Sequence, residues 1–459
     1  GMVKAAVGVE YRKNSFSFDP FDRAIINPGA GYTCEISQEI CTSPTTGSFD
    51  VKEVYGEAFI PLATTLNASF GTRWSSYSTF GSTINSKLGL EWRPSDQLLV
   101  RGTYAQVFRA PQITDLYGGE AVTNPTYADP CNGIIQLLNP ALPFNAVTNP
   151  YVNSTNPACS GVFADGNYQQ SDTQATAILG GTSSLKPEEG DSLTFGFVFE
   201  PTWLEGFSTT VDFWQVNLDQ AIGSIGTQNI LNVCYEAFVN SGATSPLCSL
   251  FSRRSVVDGS GIEVLFDKRA NVGEIRTAGV DIGMRYKFDT DFGQFKLNLD
   301  ATYTDKYDVD VIYAGEVVQS QENAGTFLSS ANGGNGNYSK WRALGNVSWS
   351  KGMWDVSWNM RFVDGFTVGS LSPTGVCANL GLPAGSPGCQ FSIGAYTYHN
   401  IQAGVKIGNS FKIRVGVDNV NDKQPPIIYQ NNSLNGNTDE RTFDTVGRYF
   451  WTSLTYNFN

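Results

Sequence analysis

Apolar and polar side chains alternate with a period of two along most of this chain. Val280, Ile282, Met284, Tyr286 and Phe288 interleave with Asp281, Gly283, Arg285 and Lys287. Phe295, Leu297, Leu299, Ala301 and Tyr303 follow the same rule against Lys296, Asn298, Asp300 and Thr302. Such runs predict strands with one apolar and one polar face. Fourteen are expected, at about 2–13, 51–61, 64–76, 80–94, 97–108, 188–201, 207–219, 271–288, 293–307, 338–351, 353–366, 395–408, 410–420 and 445–458. The connections alternate too. Short turns follow every second strand, and long segments (14–50, 109–187, 220–270, 308–337, 367–394, 421–444) fill the other end, the tight tip at 77–79 excepted.

In an up-and-down sheet, alternate connections lie at opposite ends. Short turns at one end and long loops at the other are the pattern of an outer-membrane β-barrel. The strands are longer than the usual 5–6 residues of globular proteins and suit a tilted crossing of about 9–11 residues. Trp74, Trp92, Trp341, Trp349 and Tyr456 fall near strand ends, where interfacial girdles belong. A secreted β-sandwich or propeller is the other fold with this alternation. The expected fold is therefore all-β: an antiparallel transmembrane barrel wall over residues 1–459.

Composition narrows the function. Only 16% of the 459 residues are charged and the net charge is −13, which argues against a nucleic-acid partner. The single histidine, His399, has no companion for metal or base chemistry and reads as interfacial. No nucleophile–base set, P-loop or dinucleotide fingerprint is present, so an enzyme is not expected. No metal is expected beyond a loop Ca²⁺ at acidic positions. Gly1-Met2-Val3 enters the first strand directly, without the charged and apolar regions of a signal peptide; either one has been removed or the chain is the downstream part of a longer protein.

Eight cysteines all sit in the long segments, in four neighbouring couples: Cys34 and Cys41, Cys131 and Cys159, Cys234 and Cys248, Cys377 and Cys389. Eight cysteines allow 105 pairings; pairing within couples closes the shortest loops and suits an oxidising compartment. Thr227–Phe238 has helical spacing and reads as a loop helix held by Cys234. The segment 110–185 carries no Lys or Arg, which favours a neutral or cationic ligand over a bare anion. Candidate ligand contacts are Arg109, Asp115, Tyr117, Tyr127, Asp129, Tyr151 and Tyr168. Arg109 is placed either to touch ligand or to order the long loop against the wall. Arg101, Arg285, Lys287, Arg361 and Arg414 fall on the polar face and are expected to line the lumen.

Five motifs carry a family resemblance. They are Val107-Phe108-Arg109-Ala110-Pro111 with Asp115-Leu116-Tyr117; Leu185-Lys186-Pro187-Glu188-Glu189; Glu57-Ala58-Phe59-Ile60-Pro61-Leu62; Asp418-Asn419-Val420-Asn421-Asp422-Lys423; and Gly447-Arg448-Tyr449-Phe450. In this order, on this strand pattern, the chain resembles the barrel of TonB-dependent outer-membrane receptors. The resemblance implies a 22-stranded barrel of which these are the last fourteen strands. It also implies a plug domain and eight strands upstream, and energy drawn from the inner-membrane TonB complex. A siderophore, vitamin, glycan or peptide would be the scarce nutrient. The stapled loops at 131–159 and 234–248 resemble a family branch with large disulfide-closed loops. The last strand, with Phe450, Leu454, Tyr456 and Phe458 on one face, resembles an outer-membrane assembly signal, with Asn459 one residue beyond the expected terminal aromatic. Two other functions fit the pattern: a passive fourteen-stranded channel, and a surface adhesion or structural barrel.

Overall fold

The structure, a computed structural model, describes residues 1–36, 41–125, 127–132, 157–159, 170, 172, 174–254, 261–313, 315–328, 336–368, 392–408, 410–428 and 438–458. Fourteen strands run in sequence order through one antiparallel sheet, each paired with its chain neighbours. They are β1 (Lys4–Phe18), β2 (Thr45–Pro61), β3 (Leu66–Tyr77), β4 (Gly81–Ser95), β5 (Leu98–Arg109), β6 (Glu188–Phe199), β7 (Phe207–Gly223), β8 (Ala270–Thr290), β9 (Gly293–Tyr313), β10 (Trp341–Lys351), β11 (Trp354–Val363), β12 (Tyr396–Ile407), β13 (Phe411–Asp418) and β14 (Tyr449–Tyr456). All fourteen expected strands are present. Several run past the clean alternation: β1 and β2 stay paired out to Phe18 and Thr45. The segment Glu316–Glu322 adds a further strand on the outer part of β9. Backbone pairing needs no alternation, so ladders continue where the side-chain pattern fades.

Register keeps the two faces pure across the wall. Arg101 pairs with Gly196, Gly196 with Asp212, and Asp212 with Asp281. On the same face Asn298 pairs with Asn346, Asn346 with Asn359, and Asn359 with Asn400. The opposite face carries Ile282, Ala301, Ala343 and Phe362 in one row. Large apolar side chains there are bare: Val7 is 87% exposed and Phe450 69%. An exposed apolar face on this scale has hydrocarbon as its complement. Aromatic rings band it at two levels. Tyr286, Phe288 and Phe295 stack near the short turns, and Tyr303 meets Trp341 near the long loops.

The short turns are tight. Gly206 takes φ +80°, and a Cβ there would lie 2.1 Å from the Lys287 carbonyl, so only glycine fits. At the wall's margins, no ladder joins β1 to β14 among the described residues.

The alternation makes a direct prediction. Spin labels at Ile282 and Arg285 will report opposite surroundings, oxygen-rich for the first and water-rich for the second. Ile282→Arg will lower the stability of the bilayer-inserted protein by about 2–4 kcal/mol, read from denaturant unfolding in liposomes.

Candidate functional site: the loop layer over the mouth

The long connections assemble above the wall into two small bodies. In the first, Ala121–Thr123, Ala177–Leu179, Ile262–Phe266 and Phe251–Arg253 form a four-stranded sheet drawn from two different loops. An isolated bridge from Thr42 to Ala121 ties in a third loop. Strands of three residues cannot hold themselves, and a core of Tyr127, Ile230, Leu231, Leu247, Ile262 and Leu265 supports them. The expected loop helix is present as α1 (Thr227–Ser241), and its inward face supplies Ile230, Leu231 and Cys234. It ends at Gly242 in the left-handed region, φ +69°.

Three disulfides staple this body: Cys34–Cys41, Cys131–Cys159 and Cys234–Cys248. The neighbour pairing is thus observed for three couples; Cys377 and Cys389 lie outside the described residues, as do Tyr151 and Tyr168. Between the two larger staples lies a buried ion pair. Arg253 donates from Nη1 and Nη2 to Asp129 Oδ2 and Oδ1 at 2.6 and 2.8 Å, with both side chains at most 4% exposed. Arg253 Nε also donates to the Ala158 carbonyl, and the Cys131 N–H to Asp129 Oδ1. Asp129 is therefore placed as a buried strut. Tyr127 is 7% exposed within the core, and burial pushes its hydroxyl above its ordinary range.

Arg109 has the other structural role. It forks onto Glu188 across the β5–β6 ladder, Nε to Oε2 at 2.5 Å and Nη2 to Oε1 at 2.6 Å. Glu188 Oε1 also accepts the Ile222 N–H at 2.7 Å. The third arm of Arg109 reaches Asp115 at 3.4 Å, and Asp115 accepts the Gln112 N–H at the start of the short helix Ile113–Tyr117. Two sequence motifs, around Arg109 and Glu188, thus meet in one bidentate pair. Carboxylates of Glu188 and Asp115 receive the guanidinium. Tyr117 lies over Gly47, where a Cβ would fall 2.3 Å from its ring. Arg253, Glu188 and Asp267 are anchors whose partners no local pattern in the sequence marks. Asp267 accepts the N–H groups of Ile225 and Gly226 at the start of α1, and burial raises its carboxyl pKa.

The polar face of the wall carries the expected cations. Arg101 is forked to Asp212, Arg285 to Asp300, and Arg414 lies 4.0 Å from Asp355, which also takes Lys412 at 2.9 Å. Lys287 faces Lys296 across the β8–β9 ladder. Arg361 donates to the Thr442 carbonyl at 2.7 Å and lies over the Tyr398 ring. That contact ties the wall to the second loop body, where Phe327, Phe366, Val368, Ile393, Ile428 and Phe443 form a core. Among the described residues no group of three or more His, Cys, Asp or Glu side chains is arranged to hold a metal.

A family model described as "TonB dependent receptor-like, beta-barrel" matches residues 2–420. The chain belongs to that family. TonB-dependent receptor barrels are outer-membrane proteins, and the solved structures agree with the fold. The siderophore receptor PirA from Acinetobacter baumannii superposes with a TM-score of 0.58 at 15% identity, over 99% of this chain and 52% of that one. A mutant of the ferric enterobactin receptor PfeA from Pseudomonas aeruginosa gives 0.59 at 14%, over 99% and 51%. The FrpB iron transporter from Neisseria meningitidis gives 0.54 at 12%, over 99% and 52%. The chain therefore spans about half the length of these receptors. No curated protein matches it. In this TonB-dependent receptor barrel, the mouth is the end with the stapled loops.

Arg253→Ala will strand the buried Asp129 carboxylate and cost the loop layer about 3–5 kcal/mol. Amide exchange will show α1 and 262–266 losing protection while the β8–β9 ladder keeps its own. Arg253→Met with Asp129→Leu will restore much of it.

Proposed function

We propose that this chain is the wall and mouth of an outer-membrane receptor that takes up a scarce nutrient with energy supplied through TonB. The observation that carries this reading is the joining of three separate loops into one stapled body above a wall with a polar inner face. A rigid, oxidised layer of that kind suits ligand capture at the cell surface, and the family's receptors couple capture to transport. On this reading, upstream strands close the wall between β1 and β14, and a plug domain fills the lumen against its charged face. Inner-wall ion pairs such as Arg101–Asp212 and Arg285–Asp300 then present a neutralised, hydrated surface to the plug.

The passive fourteen-stranded channel needs a β1–β14 ladder, and the described residues hold none. An adhesive barrel would need the loops but not the transport. A deletion strain separates the three. Growth limited by iron chelates or by oligosaccharides will fail for one nutrient class in the deletion strain. In the parent strain, uptake of that nutrient will stop when the proton gradient is collapsed. Uptake that continues without the gradient identifies a channel, and binding of cells without uptake identifies an adhesin.

A further inference from the structure

Below residues 440–447, the inner face of β10–β14 holds a cleft of about 620 Å³. That lies within the roughly 300–1,000 Å³ of small-molecule sites. Its polar groups divide into those already engaged and those still open. Asp444 is engaged: Oδ2 accepts from Asn419 Nδ2 and Oδ1 from the Val446 N–H. Asn359 and Asn400 use their oxygens, which accept from Asn346 Nδ2 and the Asn419 N–H. Their Nδ2 groups have no acceptor among the described residues. Asp418 and Glu440 have neither a hydrogen-bond nor an ion-pair partner there. This differs from the wall below, where Asp212, Asp300 and Asp355 each hold a cation. Tyr449, opposite Asp418 in the β13–β14 ladder, presents a ring that is 54% exposed.

We propose that this cleft binds a saccharide. Two open carboxylates accept hydroxyl protons, two open amide groups donate to hydroxyl oxygens, and the Tyr449 ring packs against the C–H face of the sugar. An anionic ligand would meet Asp418 and Glu440 at contact distance and be repelled. A polyamine would satisfy the carboxylates but leave the amide donors unmatched, with Arg361 opposing it inside the same cleft. A saccharide carries both donors and acceptors without net charge and so answers each open group. This inference rests on the receptor reading and names the ligand class for its mouth.

The test titrates the full chain, in detergent micelles, with cellotetraose, maltotetraose and xylotetraose, and separately with spermidine and ferric enterobactin. Calorimetry and saturation-transfer NMR read binding, and heat-modifiable gel mobility checks folding. A tetraose will bind, and Asp418→Asn, Glu440→Gln and Tyr449→Ala will each weaken it about tenfold or more with mobility unchanged. The proposal is overturned if no tetraose binds, or if the three substitutions leave tetraose binding intact. It is also overturned if spermidine binds and is lost on those substitutions, or if ferric enterobactin binds and tightens in Asp418→Asn. Gradient-driven uptake with no tetraose binding leaves the receptor reading standing and removes the saccharide. Tetraose binding without gradient-driven uptake does the reverse.

Discussion

In hydrocarbon a backbone amide has no water to turn to, so each must pair within the protein. Thirteen ladders meet that demand between consecutive strands of the wall, and everything else about it follows. Each strand from β2 to β13 has neighbours on both sides, in simple up-and-down order. Side chains must alternate, because one face meets lipid and the other a wet interior. Ile282 and Asp281 are adjacent in sequence yet belong to different solvents. The inner face then carries charge at the membrane's depth, and part of that charge is matched across the ladders. Arg101 with Asp212 and Arg285 with Asp300 are the local solutions.

The same physics explains what the sequence made legible. A period of two persists only where two media flank a strand, so β8, β9 and β11 could be read directly from their residues. Above the membrane that constraint ends. Ala121–Thr123 and Ala177–Leu179 are three residues long and lie more than fifty apart, too short for any periodicity to register. The Arg253–Asp129 strut joins residues 124 apart, and nothing local in Phe251-Ser252-Arg253-Arg254 marks which arginine is buried. Arg109 and Glu188 stand between these cases. Each lies in a recognisable motif, but that the two motifs are halves of one bidentate contact emerges only from the β5–β6 register. The helix at Thr227–Ser241 was legible because its apolar spacing is local.

The loop layer is stabilised differently from the wall because it lacks the wall's constraint. Lipid does not enforce its pairing, and its strands are too short to persist alone. It relies on covalent staples, which limit the unfolded ensemble, and on one charge pair removed from water. A buried ion pair adds little net stability over an apolar substitute, but losing one partner is costly. Its contribution is therefore to fix one arrangement. Arg253 holds the Ala158 carbonyl and Asp129 holds the Cys131 N–H, so the pair sets the orientation of the Cys131–Cys159 staple against the 251–266 hairpin.

Polar groups in this chain thus fall into two kinds, and the division bears on function. Those that build the molecule are matched: Asp129 with Arg253, Glu188 with Arg109 and Ile222, Asp267 with two amides at a helix start. Matching of this kind lowers the energy of the folded chain and leaves nothing to offer a ligand. Asp115, Asp129 and Tyr127, picked out for their chemistry, are each engaged inside the loop layer, because a layer without a large core must spend its strongest groups on itself. Asp418, Glu440 and the amide nitrogens of Asn359 and Asn400 are the other kind. They border a cavity, remain open, and do not hold the fold. Recognition chemistry resides where the architecture leaves such groups unmatched, and the inner wall beneath residues 440–447 is such a place, directly below the loops that cover it.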